Sequence, residues 1–234
     1  MTFSVAALCR ETGHLGVAVT TAVPAVGSIC PFVAAKVGAI ATQSWVNPYL
    51  GIDGLALLKQ GTHAQTALDR LIADDPGRDV RQLCLVDASG HVAQFSGPDC
   101  TGWFGHMSGD GFGVQGNMLA GPDVVQAMFD TMVATQNDSL PERLVRALEA
   151  GQAEGGDKRG RQSAAVLIFS TESYPHLDLR VDEHTDPVAE MRRIFEVAKK
   201  QLIPFMEGMP SRQDPLGHFS DATKAMLAAA PQDR

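Results

Sequence analysis

The first twenty-one residues constrain the fold more than any other stretch of the 234-residue chain. From 2 to 9 the residues alternate, with Phe3, Val5, Ala7 and Cys9 on one face and Thr2, Ser4, Ala6 and Leu8 on the other. Arg10-Glu11-Thr12-Gly13 makes a turn, and a second alternating run over 14–21 carries Leu15, Val17 and Val19. Two period-two runs joined by a short glycine-containing turn specify a β-hairpin. This hairpin starts at the very first residues.

The pattern beyond it predicts a further strand pair over 29–35 and 38–43 and a helix over 51–60 that closes on Gly61. Thr62-His63-Ala64-Gln65 has the spacing of a capping box. It opens a helix with Ala64, Ala67, Leu68, Leu71 and Ile72 at helical period, which stops at Asp74-Asp75-Pro76-Gly77. Strands over 81–87, 91–95 and 111–117 follow. Gly121-Pro122 opens a helix with Val124, Val125, Met128, Phe129, Met132 and Val133 inward, because proline fits a first helical turn. Ser139-Leu140-Pro141-Glu142 repeats the capping pattern for a helix ending at Gly151. Strands over 163–170 and 177–181 precede a long helix from Asp186-Pro187 to about 201 and a short one near 220–229. Runs of strands separated by helix pairs disfavour a doubly wound sheet or a parallel barrel. The expected class is α+β, a four-layer αββα sandwich of two stacked antiparallel sheets flanked by helices. No linker composition divides the chain, so 1–206 reads as one domain. Residues 207–234 read as a tail with a short helix packed on it.

Composition removes several classes of function. With 19 basic and 27 acidic residues the net charge is −8, and no basic cluster offers a nucleic-acid or anionic-membrane surface. Apolar runs break before the roughly 18 residues that a membrane span needs, and 5–9 is too short for a signal peptide. Cys9, Cys30, Cys84 and Cys100 lack zinc or dithiol spacing, so reduced thiols and a cytoplasmic location are expected. His184, within Asp182-Glu183-His184-Thr185-Asp186, lacks the helix-face spacing of a ligand pair, and Asp186 suits a cap before Pro187. Gly109-Asp110-Gly111-Phe112-Gly113 enters a strand rather than a helix, which removes the dipole logic of a phosphate loop. No metal and no cofactor are expected.

Thr2 carries the first candidate chemistry. Removal of Met1 would leave a threonine with a free α-amine, whose reference pKa of about 7.7–8.0 keeps part of it unprotonated near neutrality. One residue would then supply both a hydroxyl nucleophile and its base. Asp157-Lys158-Arg159-Gly160-Arg161-Gln162-Ser163 is the densest polar segment. Asp157, Arg159 and Arg161 could bind an anionic small-molecule substrate in fork geometry, Arg161 being nearer the strand, or pair among themselves to order a glycine loop.

A threonine opening a hairpin in this element order resembles the N-terminal nucleophile hydrolases, among them proteasome β subunits. Over roughly 2–205 the chain is also similar to a bacterial family known as DUF1028. The segments that carry the likeness include Met1-Thr2-Phe3-Ser4, Glu11-Thr12-Gly13-His14-Leu15-Gly16-Val17-Ala18-Val19 and Val37-Gly38-Ala39-Ile40-Ala41-Thr42-Gln43. They continue with Val114-Gln115-Gly116-Asn117-Met118-Leu119-Ala120-Gly121, Gly155-Gly156-Asp157, Arg159-Gly160-Arg161-Gln162-Ser163-Ala164-Ala165, Arg180-Val181-Asp182 and His184. The resemblance implies that Lys36 assists proton loss and that Asn117 and Gln43 donate to an oxyanion. The superfamily's aspartate after the second strand is replaced by Ala22. The implied function is hydrolysis of an amide or related C–N bond of a small polar substrate. The alternative is a ligand-binding or assembly protein of the same fold without that activity. A homodimer or higher homo-oligomer is expected, since sheet edges and helices commonly pair in symmetric assemblies.

Overall fold

Two antiparallel sheets are built by strands whose alternate faces are both apolar. The structure, a computed structural model, describes residues 2–231. Strands β1 (Thr2–Leu8), β2 (Leu15–Thr21), β8 (Phe112–Leu119), β7 (Trp103–Gly109), β9 (Ser163–Phe169) and β10 (Leu177–Val181) form one sheet in the order β10-β9-β2-β1-β8-β7. Strands β3 (Pro31–Ala34), β4 (Gly38–Ser44), β5 (Arg81–Asp87) and β6 (Val92–Ser96) form the second in sequence order. The N-terminal strand therefore lies inside its sheet, paired on both sides: Thr2 faces Thr21 on β2 and Asn117 on β8.

Each face of β1 has its own destination. Phe3, Val5 and Ala7 enter a core with Met128, Leu144 and Leu148 from α3 (Asp123–Ala134) and α4 (Leu140–Ala153) and Phe195 from α5 (Pro187–Gln201). Ala6 and Leu8 enter the layer between the sheets, against Val33, Ala39 and Val86. The outer face of the second sheet, with Ile40, Leu83 and Leu85, is covered by α1 (Pro48–Lys59) and α2 (Ala64–Asp74). The layers run helix, sheet, sheet, helix, as expected. The sheets approach closely at Gly113, where a Cβ would stand 2.6 Å from Cys84 Sγ of the opposite sheet. That glycine is a packing requirement.

Several boundaries differ from expectation. Strand β7 was absent from the sequence pattern because Gly105 and Gly109 interrupt it and it is a half-exposed edge with a bulge between Trp103 and Gly105. Helix α1 starts earlier, at Pro48, capped by Asn47, whose side chain accepts from the Tyr49 amide. The cap of α2 is His63, which accepts from the Gln65 amide, rather than Thr62, and Ser139 makes no side-chain cap on α4. Beyond α5, a short α6 (Ile203–Glu207) had no counterpart in the pattern, and α7 (Asp221–Ala228) packs beside α5. Phe205 and Phe219 stack at 5.1 Å. No helix among the described residues is long and apolar enough to cross a membrane.

Candidate functional site

Thr2 sits at the strand ends where the inter-sheet layer turns polar, and only 7% of it is exposed. Its Oγ1 lies 3.1 Å from Thr21 Oγ1. Both line a cavity of about 290 Å³ together with Gln43, Ser44 and Arg159. Met1 lies outside the described residues, and with it the question of its removal.

Behind Thr2 the two sheets are joined by buried amide side chains, none of which the sequence pattern related to another. Gln82 on β5 is the hub. Its Nε2 donates to the Gly116 carbonyl (2.8 Å), the Gly105 carbonyl (3.2 Å) and Ser96 Oγ (2.8 Å). Carbonyl oxygens only accept, so Gln82 Oε1 is left to face the other way. It accepts from Gln43 Nε2 at 2.7 Å and from Asn117 Nδ2 at 3.0 Å. Gln43 Oε1 accepts the Ser4 hydroxyl at 2.7 Å, and Gln43 Nε2 also reaches the Thr2 carbonyl at 3.4 Å. Gln115 Nε2, anchored on the Ala41 carbonyl at 3.1 Å, reaches Ser4 Oγ at 3.3 Å. Backbone carbonyls thus fix every amide orientation in the chain of contacts.

This bears directly on the two expected oxyanion donors. Both hydrogens of Gln43 are engaged, whereas Asn117 has one hydrogen bonded and its Oδ1 without a partner among the described residues. A buried polar atom left unpaired costs about 1–3 kcal/mol, and Gln115 Oε1 is in the same state among the described residues. Asn117 is wholly buried and is not among the residues that line the cavity.

Backbone strain gathers at the same place. Among the described residues, four that are not glycine have left-handed φ: Ala25 (55°), Lys36 (60°), Ser44 (71°) and Met118 (52°). Ser44 and Met118 line the Thr2 cavity and Ala25 precedes Val26, which does too. Each such residue costs about 1 kcal/mol or more, and such strain concentrates at functional sites. Cys30 also lines this cavity, but burial pushes its thiol well above the ordinary range, so it is no thiolate nucleophile.

Of the polar loop, the structure brings Asp157 and Arg159 to the site and sends Arg161 elsewhere. Asp157 is buried; its Oδ1 accepts from the Arg159 amide at 2.7 Å and its Oδ2 from the Ala22 amide at 3.2 Å, with the Arg159 guanidinium at 3.4 Å. Asp157 thus ties the backbone of position 22 to the loop that carries Arg159. Arg161 pairs with Asp186 at 2.9 Å.

Lys36 is not near Thr2. It occupies the β3–β4 turn, at the opposite end of β4 from Gln43, where it lines a separate cavity with Lys59, His63, Asp87 and His91. Seven residues of strand at about 3.3 Å each separate the two ends of β4. His63, Asp87 and His91 place potential ligand atoms within 4.8 Å of one another. These donors already have structural work. Asp87 accepts from the amides of Ala64, Ser89 and His91 and meets His91 Nδ1 at 2.9 Å, while His63 Nδ1 caps α2. Burial alone would raise the Asp87 carboxyl, but these bonds hold it below the ordinary carboxylate range. With two lysines beside it, this cluster is built as a helix-cap anchor rather than a cation site.

Comparison with known proteins agrees with this architecture. A model described as "Family of unknown function (DUF1028)" matches residues 2–191. The crystal structure of a DUF1028-family protein from Silicibacter pomeroyi superposes with a TM-score of 0.84 at 27% identity, covering 94% of this chain and 99% of that one. Anbu, an ancestral β-subunit from Yersinia bercovieri, aligns over 89% of this chain and 98% of its own at 11% identity and a TM-score of 0.42. No curated protein matches the chain.

Proposed function

The chain belongs to the DUF1028 family, and on that premise we propose that it is an N-terminal nucleophile hydrolase cleaving an amide or related C–N bond of a small molecule. The observation that carries this reading is the seat of Thr2. It is the N-terminal residue of an interior strand, its hydroxyl lies at the wall of a cavity, and strained residues flank it.

Once Met1 is removed, the α-amine of Thr2 accepts the proton of its own Oγ1 as that oxygen attacks the substrate carbonyl carbon. The negative charge developing on the carbonyl oxygen is assigned to the second Nδ2 hydrogen of Asn117, the cross-strand neighbour of Thr2, which lies behind the cavity wall and must be exposed as substrate seats. The proton held by the amine passes to the leaving nitrogen, and the C–N bond breaks to give an ester on Thr2. Water, deprotonated by the same amine, then releases the acid. Gln43, with no hydrogen to spare, is a positioning residue that holds the Thr2 carbonyl. Asp157 orders the loop that carries Arg159 to the cavity lining. Lys36 and Arg161 have no part in this scheme.

The test joins intact mass with turnover. Active protein should have lost methionine, and Thr2→Ala should reduce kcat/KM on a responsive amide roughly 10³-fold or more. Retention of methionine in active protein, or full activity in Thr2→Ala, overturns the mechanism. The placement of Lys36 away from Thr2 favours a second reading, a ligand-binding protein of this fold without hydrolysis. Under that reading parent and Thr2→Ala bind the same amides and neither turns them over.

A further inference from the structure

The polar groups around Thr2 point to the bond that is cut; the remaining lining points to what is attached to it. Thr21 is engaged with the Thr2 hydroxyl, and Gln43 has spent its hydrogens on Gln82 and the Thr2 carbonyl. The rest of the cavity, apart from Ser44 and Arg159, is hydrocarbon, indole and sulfur, including Val26, Ile29, Cys30, Trp45 and Met118. Cys30 belongs with the apolar members, because burial keeps its thiol neutral and a neutral thiol behaves as a small hydrophobe. A ligand rich in hydroxyl or amide groups would lose its hydrogen bonds to water here and regain few.

Trp45 is the second observation. It lines the cavity while 65% of it remains exposed, so a large apolar ring stands open to solvent beside Thr2. Its backbone is tied down: the amide donates to the Val80 carbonyl, and the Trp45 carbonyl accepts from Arg81 Nη1 at 2.5 Å. The backbone is thus fixed with the exposed ring beside the cavity, where a ligand entering it would cover the indole. At about 290 Å³ the space is just below the roughly 300–1,000 Å³ of small-molecule sites, which suits a compact ligand.

We propose that the acyl part of the substrate is a compact hydrocarbon group, a branched aliphatic or single-ring acyl chain, packed against Trp45, Ile29 and Met118. The claim that its C–N bond is cut rests on the reading of Thr2 above; the claim about what the cavity binds does not. The reaction balances as a carboxamide and water giving the carboxylic acid and the amine or ammonia. Water's oxygen ends in the acid and one of its protons on the leaving nitrogen.

The experiment compares acetamide, butyramide, isovaleramide and phenylacetamide with the polar malonamide. Each added methylene that becomes buried should raise kcat/KM about fourfold, so isovaleramide should exceed acetamide by well over tenfold while malonamide does not. In parallel, binding of isovaleramide to Thr2→Ala is followed by tryptophan fluorescence. Trp45→Phe isolates the contribution of Trp103, the other tryptophan. Saturable quenching that Trp45→Phe abolishes is expected, with malonamide giving none. Quenching without turnover in the parent overturns the hydrolase reading and leaves this inference standing. Turnover with a flat or polar-favouring series overturns this inference and leaves the hydrolase standing. Neither turnover nor quenching overturns both.

Discussion

The two ends of the layer between the sheets are made by the same strands and could hardly differ more. At one end Leu8, Leu15, Val17 and Val86 pack as hydrocarbon. At the other, Thr2, Ser4, Gln43, Gln82, Gln115 and Asn117 are equally buried and linked by hydrogen bonds. The apolar end gains stability with each methylene removed from water, about 0.8 kcal/mol apiece. The polar end gains little net and stands to lose much if one partner is missing, because buried amides are costly when unpaired. What it provides instead is orientation. The bonds fix the orientation of five side chains on four strands, leaving Gln115 Oε1 and Asn117 Oδ1 without partners among the described residues, and that arrangement holds the carbonyl of Thr2.

Breaking the hub should separate the two ends most sharply. Gln82→Leu strands the donors of Gln43 and Asn117 and the carbonyls of Gly105 and Gly116, and should cost about 3–6 kcal/mol in urea unfolding. A loss under about 1 kcal/mol would mean that the amides do not act together. Leu15→Ala, at the apolar end, should cost about 2–5 kcal/mol through its cavity. It should nevertheless leave isovaleramide quenching of Trp45 intact, whereas Gln82→Leu should weaken it even where the protein remains folded.

Burial lowers the pKa of histidines at both ends: His106, bonded to Ser96 beside the Gln82 hub, and a pair at the apolar end. His14 and His176 lie beside each other there, ring centroids 5.0 Å apart, and burial lowers both, with mutual repulsion adding to the effect on His14 and Glu207 opposing it on His176. Since the unfolded chain, with values near 6.5, binds protons before the folded one, stability rises with pH across the interval between the folded values and about 6.5. It is lost on acidification through that window. Thermal melts between pH 7.5 and 5 should show the loss, and His14→Gln should reduce it, with His176 and His106 carrying the rest. The smallest effect is expected at Ser44. Glycine there removes a left-handed Cβ penalty of about 1–2 kcal/mol against an entropic cost of roughly 0.5–1 kcal/mol, so Ser44→Gly should raise Tm by the equivalent of under about 1 kcal/mol.

Local alternation made most of the fold legible. The faces of β1 were readable because Phe3, Val5 and Ala7 differ from Thr2 and Ser4, and the helix pairs because their apolar residues recur at helical period. Strand β7 was not, since Gly105 and Gly109 carry no pattern and its partner lies across a turn. The site was legible only as isolated residues. Thr2, Gln43 and Asn117 converge because each stands at the same end of its strand, a fact of register. Lys36, seven residues before Gln43 on the same hairpin, ends at the opposite pole for the same reason. Gln82 and Gln115 offered one signal, a glutamine at an inward position of an otherwise apolar strand. Asp157 reaching the Ala22 amide offered none, because 135 residues separate them.

The interior position of β1 also sets a timetable. Its partner β2 follows within a few residues, but β8 emerges from the ribosome more than a hundred residues later, and at about 5–20 residues per second that interval is roughly 5–20 s. Until β8 arrives, the start of the chain is open along one edge; afterwards Thr2 is enclosed between two neighbours. For those seconds β1 has one paired and one unpaired edge, so the first strand of the sheet waits for its second partner longer than any local hairpin does.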